Sequence, residues 1–372
     1  MDKFRIDSHK AIYHPDRTNI ITQYINNPKD PDHLQSYIEM MPLYVEVSPV
    51  GACNHRCTFC SVDYIGYKSN MLNPEVYSVA MDMSSSRFPI KAVMFAGEGE
   101  PLLHPKIESF LVTNQSNDIE SAFTTNAVKL TPERLPSIIP YSSWIKVSCN
   151  AGTRDTYASV HRTSPNDFDI VWENLRAAVL YKESLGHNCT IGAQAVLIPD
   201  NSDSIFDLAL RARDTGLDYV VIKPYSQHTS STNRSYSALK YDDYLCFDEK
   251  LSSLNSDKFS VIFRKNTFAN TLSTQPHNYQ KCYSTPSLWG YIMANGDVYS
   301  CSAYLLDQRF CLGNISNTTF KDIWSSNNRI LHSRFILDEL DIKECRVNCR
   351  MNSVNTYLSE LIDQTVPHRN FV

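Results

Sequence analysis

Residues 53–60 read CNHRCTFC and set Cys53, Cys57 and Cys60 in a C-x3-C-x2-C spacing with no fourth cysteine in reach. Thiolates are soft ligands that favour zinc or iron–sulfur clusters, and a structural site of either kind normally takes four protein ligands. Three on one short loop can hold three irons of a [4Fe–4S] cube and leave the fourth iron open to a small molecule. Zinc with His55 or a distant residue as its fourth ligand is the other reading of the same spacing. A second set lies late in the chain, where Cys282 and Cys301 bracket a hairpin-like stretch and Cys345-x3-Cys349 comes after a gap. Two cysteines from a hairpin closed by two from a later loop can wrap a cluster, or a zinc ion. Cys311 is a possible substitute ligand, with core packing or hydrogen-atom donation as its alternatives. Cys149, Cys189 and Cys246 read as small buried hydrophobes, although Cys149 falls on the expected active face.

The elements that must position these residues begin at Leu43. Six strand-like segments succeed one another: LYVEVSPV (43–50), IKAVMFAG (90–97), SAFTTN (121–126), SWIKVSCN (143–150), CTIGAQAVLI (189–198) and DYVVIKPY (218–225). Between them the sequence predicts a helix start at Thr131-Pro132, a helix from about Phe168 to Leu185 stopped by Gly186, and one over SIFDLALRARDT closed by Gly216. Strands alternating with helices imply parallel pairing and right-handed crossovers. The polar residues unusual for strands fall at strand ends: the first cysteines, GEGEP, Thr125-Asn126, Ser148-Cys149-Asn150 and Lys223-Pro224-Tyr225, with Gln194 inside the fifth strand. In βα barrels that edge carries the active site. The expected fold is therefore α/β, a partial (βα)6 TIM-like barrel with a small C-terminal hairpin-plus-helix domain. Its expected divisions are a polar arm over 1–42 packed on the barrel, the barrel itself over 43–230, a Ser/Asn-rich bridge over 231–258 with one amphipathic helix, and the second domain over 259–372. Asn295-Gly296 predicts a type I′ turn in the hairpin.

Composition narrows the class. The 372 residues are 42% hydrophobic and 20% charged, ordinary for a soluble globular protein. A formal charge of −5 gives no basic footprint for nucleic acid. No apolar run approaches a membrane span, and the first residues lack the apolar core of a signal peptide, so a cytoplasmic protein without membrane partners is expected. Eleven cysteines, odd in number and unevenly placed, then suit metal ligation in a reducing compartment better than disulfides.

CNHRCTFC, including the aromatic Phe59 before its last cysteine, resembles the signature of the radical S-adenosylmethionine (radical SAM) enzymes. The resemblance implies that the open iron of a [4Fe–4S] cluster chelates the amino and carboxylate groups of S-adenosylmethionine, and that one-electron reduction yields a 5′-deoxyadenosyl radical. Downstream segments match in order. Glu98, Gly99, Glu100 and Pro101 resemble the family's GGEP segment, which implies contacts to the methionyl ammonium, with Glu98 in place of the usual first glycine. TTNA (124–127) resembles the TNG element and brings in Thr125 and Asn126. Ser148 and Asn150 stand where ribose contacts are expected, Arg162 matches an arginine near the methionyl carboxylate, and Gln194 joins them as a cofactor contact. Late in the chain, Cys282-x13-Gly296-x4-Cys301 and LGNISNTTFKDIW (312–324) resemble the SPASM and Twitch auxiliary domains. A full SPASM domain carries seven cysteines. The shorter set here implies one auxiliary [4Fe–4S] cluster held by Cys282, Cys301, Cys345 and Cys349.

The reaction so implied is hydrogen-atom abstraction from a substrate C–H, started at the site of Cys53, Cys57 and Cys60, with Lys223 and Tyr225 placed to touch the substrate and a flavodoxin- or ferredoxin-type protein as reductant. A single auxiliary cluster suits a two-electron oxidation of a small hydroxylated molecule such as an aminosugar, cyclitol or nucleoside. Alternatives are an epimerase in which Cys149, Cys246 or Cys311 returns a hydrogen atom, a peptide-modifying enzyme, and a non-enzymatic electron carrier or sensor. His228, beyond the sixth strand, is expected to be solvated.

Overall fold

A computed structural model describes residues 2–275, 277–364 and 366–368. The six expected strands form where the alternation put them: β1 (Tyr44–Val47), β2 (Ala92–Phe95), β3 (Glu120–Thr125), β4 (Ser142–Ser148), β5 (Thr190–Leu197) and β6 (Tyr219–Pro224). A seventh parallel strand, β7 (Ser260–Phe263), adds to β6, so the stretch after Phe259 first extends the barrel sheet. β8 (Trp289–Ile292) then returns to the opposite edge and pairs in parallel with β1, Tyr44 opposite Trp289 through Val47 opposite Ile292. β9 (Asp297–Tyr299) and β10 (Cys311–Asn314) are added antiparallel. The result is one sheet in the order β10-β9-β8-β1-β2-β3-β4-β5-β6-β7.

Side chains alternate across a strand, so each strand feeds two environments. Val45, Val47, Phe95, Phe123, Ile145, Val147, Ile191 and Val220 point outward into the main core. Helices Ile107–Ser116, Asn166–Leu185 and Ile205–Thr215 cover that face. The last two end as the sequence predicts, on Gly186 (φ +69°) and Gly216 (φ +87°) in the left-handed conformation. The opposite positions, among them Glu46, Lys146, Ser148, Gln194 and Lys223, face the barrel interior. Phe4 and Ile6 plug its lower end against Tyr219, Val221 and Ile262.

Three local expectations differ. The arm is helical, with Pro15–Asn26 and Pro31–Glu39 each opening on proline, and Asp30 capping the second through the amides of Asp32 (3.0 Å) and His33 (3.1 Å). These helices pack Ile20, Ile21, Tyr24 and Tyr37 against Leu288, Ile330, Leu358 and Ile362. At Thr131 the chain makes a 3-10 turn, Pro132–Arg134, before a four-residue helix, and Thr131 makes no side-chain cap. The β8–β9 turn carries positive φ at Gly296 but not at Asn295. With Gly296 N–H bonded to Met293 O (2.9 Å) and Met293 N–H to Asp297 O (2.9 Å), it is a three-residue loop ending in a bulge glycine rather than a type I′ turn. Among the described residues no helix is long and apolar enough to cross a membrane.

Candidate active site

The loop carrying Cys53, Cys57 and Cys60 is held from three sides by backbone. Glu100 N–H bonds Ala52 O (2.9 Å), and Arg56 N–H and Thr58 N–H bond the helix-end carbonyls of His161 (3.0 Å) and Val160 (2.9 Å). Gly99 permits the first contact: a Cβ there would stand 2.2 Å from Val50 O and 2.3 Å from Ala52 O. Asn126 Nδ2 adds a bond to Asn54 Oδ1 (2.7 Å). The three thiols are half-buried and near enough to act on one another's charge. Burial, then the Glu100 carboxylate, pushes Cys53 up to about 12; burial, then the other two thiols, lifts Cys57 well above the usual thiol range; burial raises Cys60 against the Tyr67 hydrogen bond.

Each sulfur also has a donor. His55 N–H reaches Cys53 Sγ (3.4 Å) and the Tyr67 hydroxyl bonds Cys60. His161 Nε2 accepts from Asn150 N–H (3.2 Å), so its proton sits on Nδ1, which is 3.4 Å from Cys57 Sγ and donates to it. Burial and neighbouring His55 hold His161 far below the ordinary histidine range, which keeps this neutral tautomer. His55 Nε2 is itself turned to Asp167 Oδ2 (3.1 Å).

The second set converges in the same way. Cys301 comes just after β9, Cys345 and Cys349 lie on the loop before helix Asn352–Ile362, and the Cys301 thiol feels the charges of Cys349, Cys282 and Cys345. Asn355 Nδ2 donates to Cys282 Sγ (3.4 Å), Met351 N–H to Cys349 Sγ (3.4 Å), and the Tyr304 hydroxyl lies 3.5 Å from Cys345 Sγ. Trp289, Tyr291, Leu305, Phe310, Ile336 and Met351 surround them. Among the described residues, the group of three ligand atoms found within 4.8 Å of one another is His55, Cys57 and His161. One zinc ion with Zn–S near 2.3 Å would draw its sulfurs to about 3.8 Å apart. Neither thiol set brings three sulfurs within 4.8 Å of one another, and sulfur donors with N–H···S and O–H···S support suit iron–sulfur clusters.

Between the two sets lies a cavity of about 310 Å³. Phe59 and Cys60 line it from the first loop, Ser148 and Lys223 from the ends of β4 and β6, Gln194 from the middle of β5, Tyr225 and His228 from the segment beyond β6, and Arg346, Asn348 and Arg350 from the second cysteine loop. Ser226 Oγ bonds Val347 O, and Asn348 Nδ2 bonds Thr271 Oγ1 (2.6 Å), which fastens that loop over the barrel mouth.

Several expected contacts are engaged elsewhere. Glu98 Oε1 accepts from Ala294 N–H (2.8 Å) in the β8–β9 turn. Glu100 takes Leu102 N–H (3.0 Å), the Thr125 hydroxyl (2.5 Å) and Asn126 N–H (2.7 Å), tying the 3-10 turn Pro101–Leu103 to the end of β3. Asn150 Oδ1 accepts from Val196 N–H (2.7 Å) and its Nδ2 faces His161 (3.3 Å), so both ends of its amide are occupied within the protein. Arg162 is exposed at the helix end with φ +47°. Tyr225 bonds Gln227 Oε1 (3.0 Å). His228 is not solvated as expected but 1% exposed, stacked on Tyr64 at 5.0 Å and lowered to about 4 by burial. Cys149, Cys246 and Cys311 do not line the cavity, where Cys60 is the thiol. Sequence reasoning passes over His161, Glu46, Arg264, Arg346 and Arg350. The signal for Glu46 is a carboxylate placed among apolar residues in YVEV.

The Radical SAM superfamily model matches residues 47–211, and the model of the SPASM iron–sulfur cluster-binding domain matches residues 282–350. The chain belongs to the radical SAM superfamily and carries a SPASM iron–sulfur domain, so S-adenosylmethionine and iron–sulfur clusters are its cofactors. It is 21% identical over 311 residues to the tungsten-containing aldehyde ferredoxin oxidoreductase cofactor-modifying protein of Pyrococcus furiosus, covering 80% of this chain and 84% of that protein. Among solved structures it resembles Streptococcus suis SuiB bound to the precursor peptide SuiA (TM-score 0.58, 16% identity), covering 77% of this chain and 65% of that one, just under two thirds. It also resembles anSMEcpe with bound S-adenosylmethionine (TM-score 0.56, 18% identity), covering 86% of this chain and 95% of that chain. At these identities the structural likenesses show the fold.

Proposed function

We propose that Cys53, Cys57 and Cys60 hold a [4Fe–4S] cluster that binds S-adenosylmethionine, that Cys282, Cys301, Cys345 and Cys349 hold one auxiliary [4Fe–4S] cluster, and that a substrate C–H is oxidised between them. The observation that carries this reading is the single cavity lined from one side by Phe59 and Cys60 and from the other by the Arg346–Arg350 segment of the second thiol loop. When bound, the first cluster and S-adenosylmethionine supply a 5′-deoxyadenosyl radical that removes a hydrogen atom from an unactivated carbon.

The chain's own residues do the positioning. Ser148 and Gln194, polar and facing the cavity, are the ribose contacts. Glu100 fixes the Gly99 backbone against the cysteine loop, and His161 steadies the Cys57 sulfur. Lys223 and Tyr225 hold the substrate from the end of β6. Oxidation is favoured over epimerisation because none of Cys149, Cys246 and Cys311 lines the cavity to return a hydrogen atom. A cavity of about 310 Å³ suits a small molecule. The Pyrococcus furiosus relative, named for modifying a cofactor, supports a low-molecular-weight substrate, whereas the SuiB complex keeps a peptide as the second reading. The reductant is a flavodoxin- or ferredoxin-type protein in the cytoplasm.

The test is on anaerobically reconstituted protein. About eight irons should fall to about four in the Cys53→Ala/Cys57→Ala/Cys60→Ala variant, with loss of all 5′-deoxyadenosine under dithionite. Zinc in place of iron, without deoxyadenosine, would end this reading.

A further inference from the structure

The cavity has an excess of positive charge. Lys223, Arg264, Arg346 and Arg350 line it, and Glu46 is the one carboxylate among its lining residues. Glu46 is taken by Arg350, with Nη2 to Oε2 at 2.8 Å. Arg264 has Asp7 at 3.4 Å, but that carboxylate also accepts from Asn266 N–H (2.7 Å) and the Thr267 hydroxyl (3.0 Å). Lys146 stands deeper on the inner face of β4. Among the described residues Lys146, Lys223 and Arg346 form no ion pair, and Arg346 Nε is buried without a hydrogen-bond partner.

Gathering unpaired cations in a protein interior is costly unless something else supplies the countercharge. Two sources come before the substrate. As ligands of the proposed auxiliary cluster, whose four thiolates leave it a net charge of about −2 when oxidised, Cys301 and Cys349 offset Arg346, and Cys349 also acts on Arg350. They do not account for Lys223, which burial, and then the positive charges of Lys146, Arg264, Arg346 and Arg350, hold well below the ordinary lysine range until an anion offsets them. S-adenosylmethionine does not balance the site either, because its one carboxylate is outweighed by its sulfonium and ammonium. With Arg350 set against Glu46, Arg264 against Asp7 and Arg346 against the thiol ligands, Lys223 is the cavity-lining cation left without a countercharge.

We infer that the substrate brings it: it carries an oxyanion, a phosphate ester or a carboxylate, held by Lys223 with the guanidinium groups of Arg264 and Arg346 beside it at the barrel mouth. Guanidinium groups match the oxygens of either anion, and Lys223 adds a compact charge between them. This narrows the substrate of the proposed oxidation and rests on that reading: the hydroxylated molecule is an anionic one, oriented by its charged end so that its carbon faces Cys60.

Calorimetric titration of inorganic phosphate and of malonate into reconstituted protein saturated with S-adenosylmethionine tests the inference. At least one anion should bind, and Lys223→Met and Arg346→Gln should each weaken it about tenfold, whereas Lys223→Arg should keep it. Tighter phosphate assigns a phosphate ester and tighter malonate a carboxylate. Lys223→Met should also raise the melting temperature of the anion-free protein, since it replaces a polar amine that has no ion-pair partner by an apolar side chain. Where Lys223→Met lowers that temperature, Lys223→Arg decides: lost binding there overturns the inference. Absence of binding by both anions overturns it, and so does an equal loss of S-adenosylmethionine affinity in the variants, which would assign the cations to the co-substrate. Deoxyadenosine formed by a protein that binds neither anion would sink the oxyanion site alone. Anion binding by a protein that never cleaves S-adenosylmethionine would sink the radical reading alone.

Discussion

The two thiol sites solve the same problem with different materials. The first hangs three cysteines on a loop that has little core of its own, so neighbouring backbone fixes it: Ala52 against Glu100, and Arg56 and Thr58 against the carbonyls at the end of helix Arg154–His161. The second sits inside an apolar shell of Trp289, Tyr291, Phe310 and Ile336, with its cysteines drawn from three separate segments. A site that must leave one coordination position free has to stay open on one side, and hydrogen bonds from below can support it without covering it. A site with four ligands can be enclosed by packing. Under the proposed ligand sets, the open site is the one held by backbone and the four-ligand site the one packed in apolar side chains.

The strongest way to break this comparison is to remove the enclosed site. Cys345→Ala/Cys349→Ala should lose about four of about eight irons and all substrate oxidation, while reduced protein keeps the paramagnetic signal of the first cluster. Retention of all the iron would mean that these cysteines ligate nothing.

A smaller effect belongs to the joint between the sites, where His228 stacks on Tyr64 and faces the charge of Arg346. Above pH 6.5 this histidine is neutral whether folded or unfolded and costs nothing. As pH falls the unfolded chain takes up the proton first, because the folded value is lowered to about 4. Stability is therefore lost between pH 6.5 and 4, by up to about 3 kcal/mol. The melting temperature of His228→Phe should fall less steeply over that window; an unchanged slope would show that His228 titrates normally.

The smallest and most selective change is His161→Phe, which keeps an aromatic ring and removes the hydrogen bonds to Asn150 and Cys57. Leaving Asn150 N–H unpaired should cost about 1–3 kcal/mol. Loss of the N–H···S bond at Cys57 should move the first cluster to a more negative potential while the second stays put. A redox titration followed by electron paramagnetic resonance separates the two, and equal shifts in both clusters would argue for general loosening instead.

How much of this is legible in the sequence depends on the range of each signal. Both cysteine sets and six strands are, because spacing and period-2 patterning are local. So are the helix stops at Gly186 and Gly216. β7 is not, since SVIF is a short apolar run whose partner, β6, lies 36 residues earlier, counting from Pro224 to Ser260. The arm reads as weakly patterned although Asp30-Pro31 is a helix start in itself. The cations escape notice for another reason. Lys146, Lys223, Arg264 and Arg346 are each unremarkable where they stand, and only closure of the sheet brings them to one cavity. Likewise SVHR draws attention to Arg162, which is exposed, when its neighbour His161 is the residue turned to the sulfur.

The pairing of β8 with β1 has a consequence for dividing the molecule. Each strand supplies the other's hydrogen-bond partner over four residues, so the two modules recognised by their cysteines have no seam at the place where they meet. Cutting the chain after residue 230 would strip β1 and β6 of their outer neighbours and leave two raw sheet edges, which invite pairing with other chains. The halves are separable as motifs but share a single backbone lattice, and whatever geometry exists between the two metal centres is as rigid as a β-ladder.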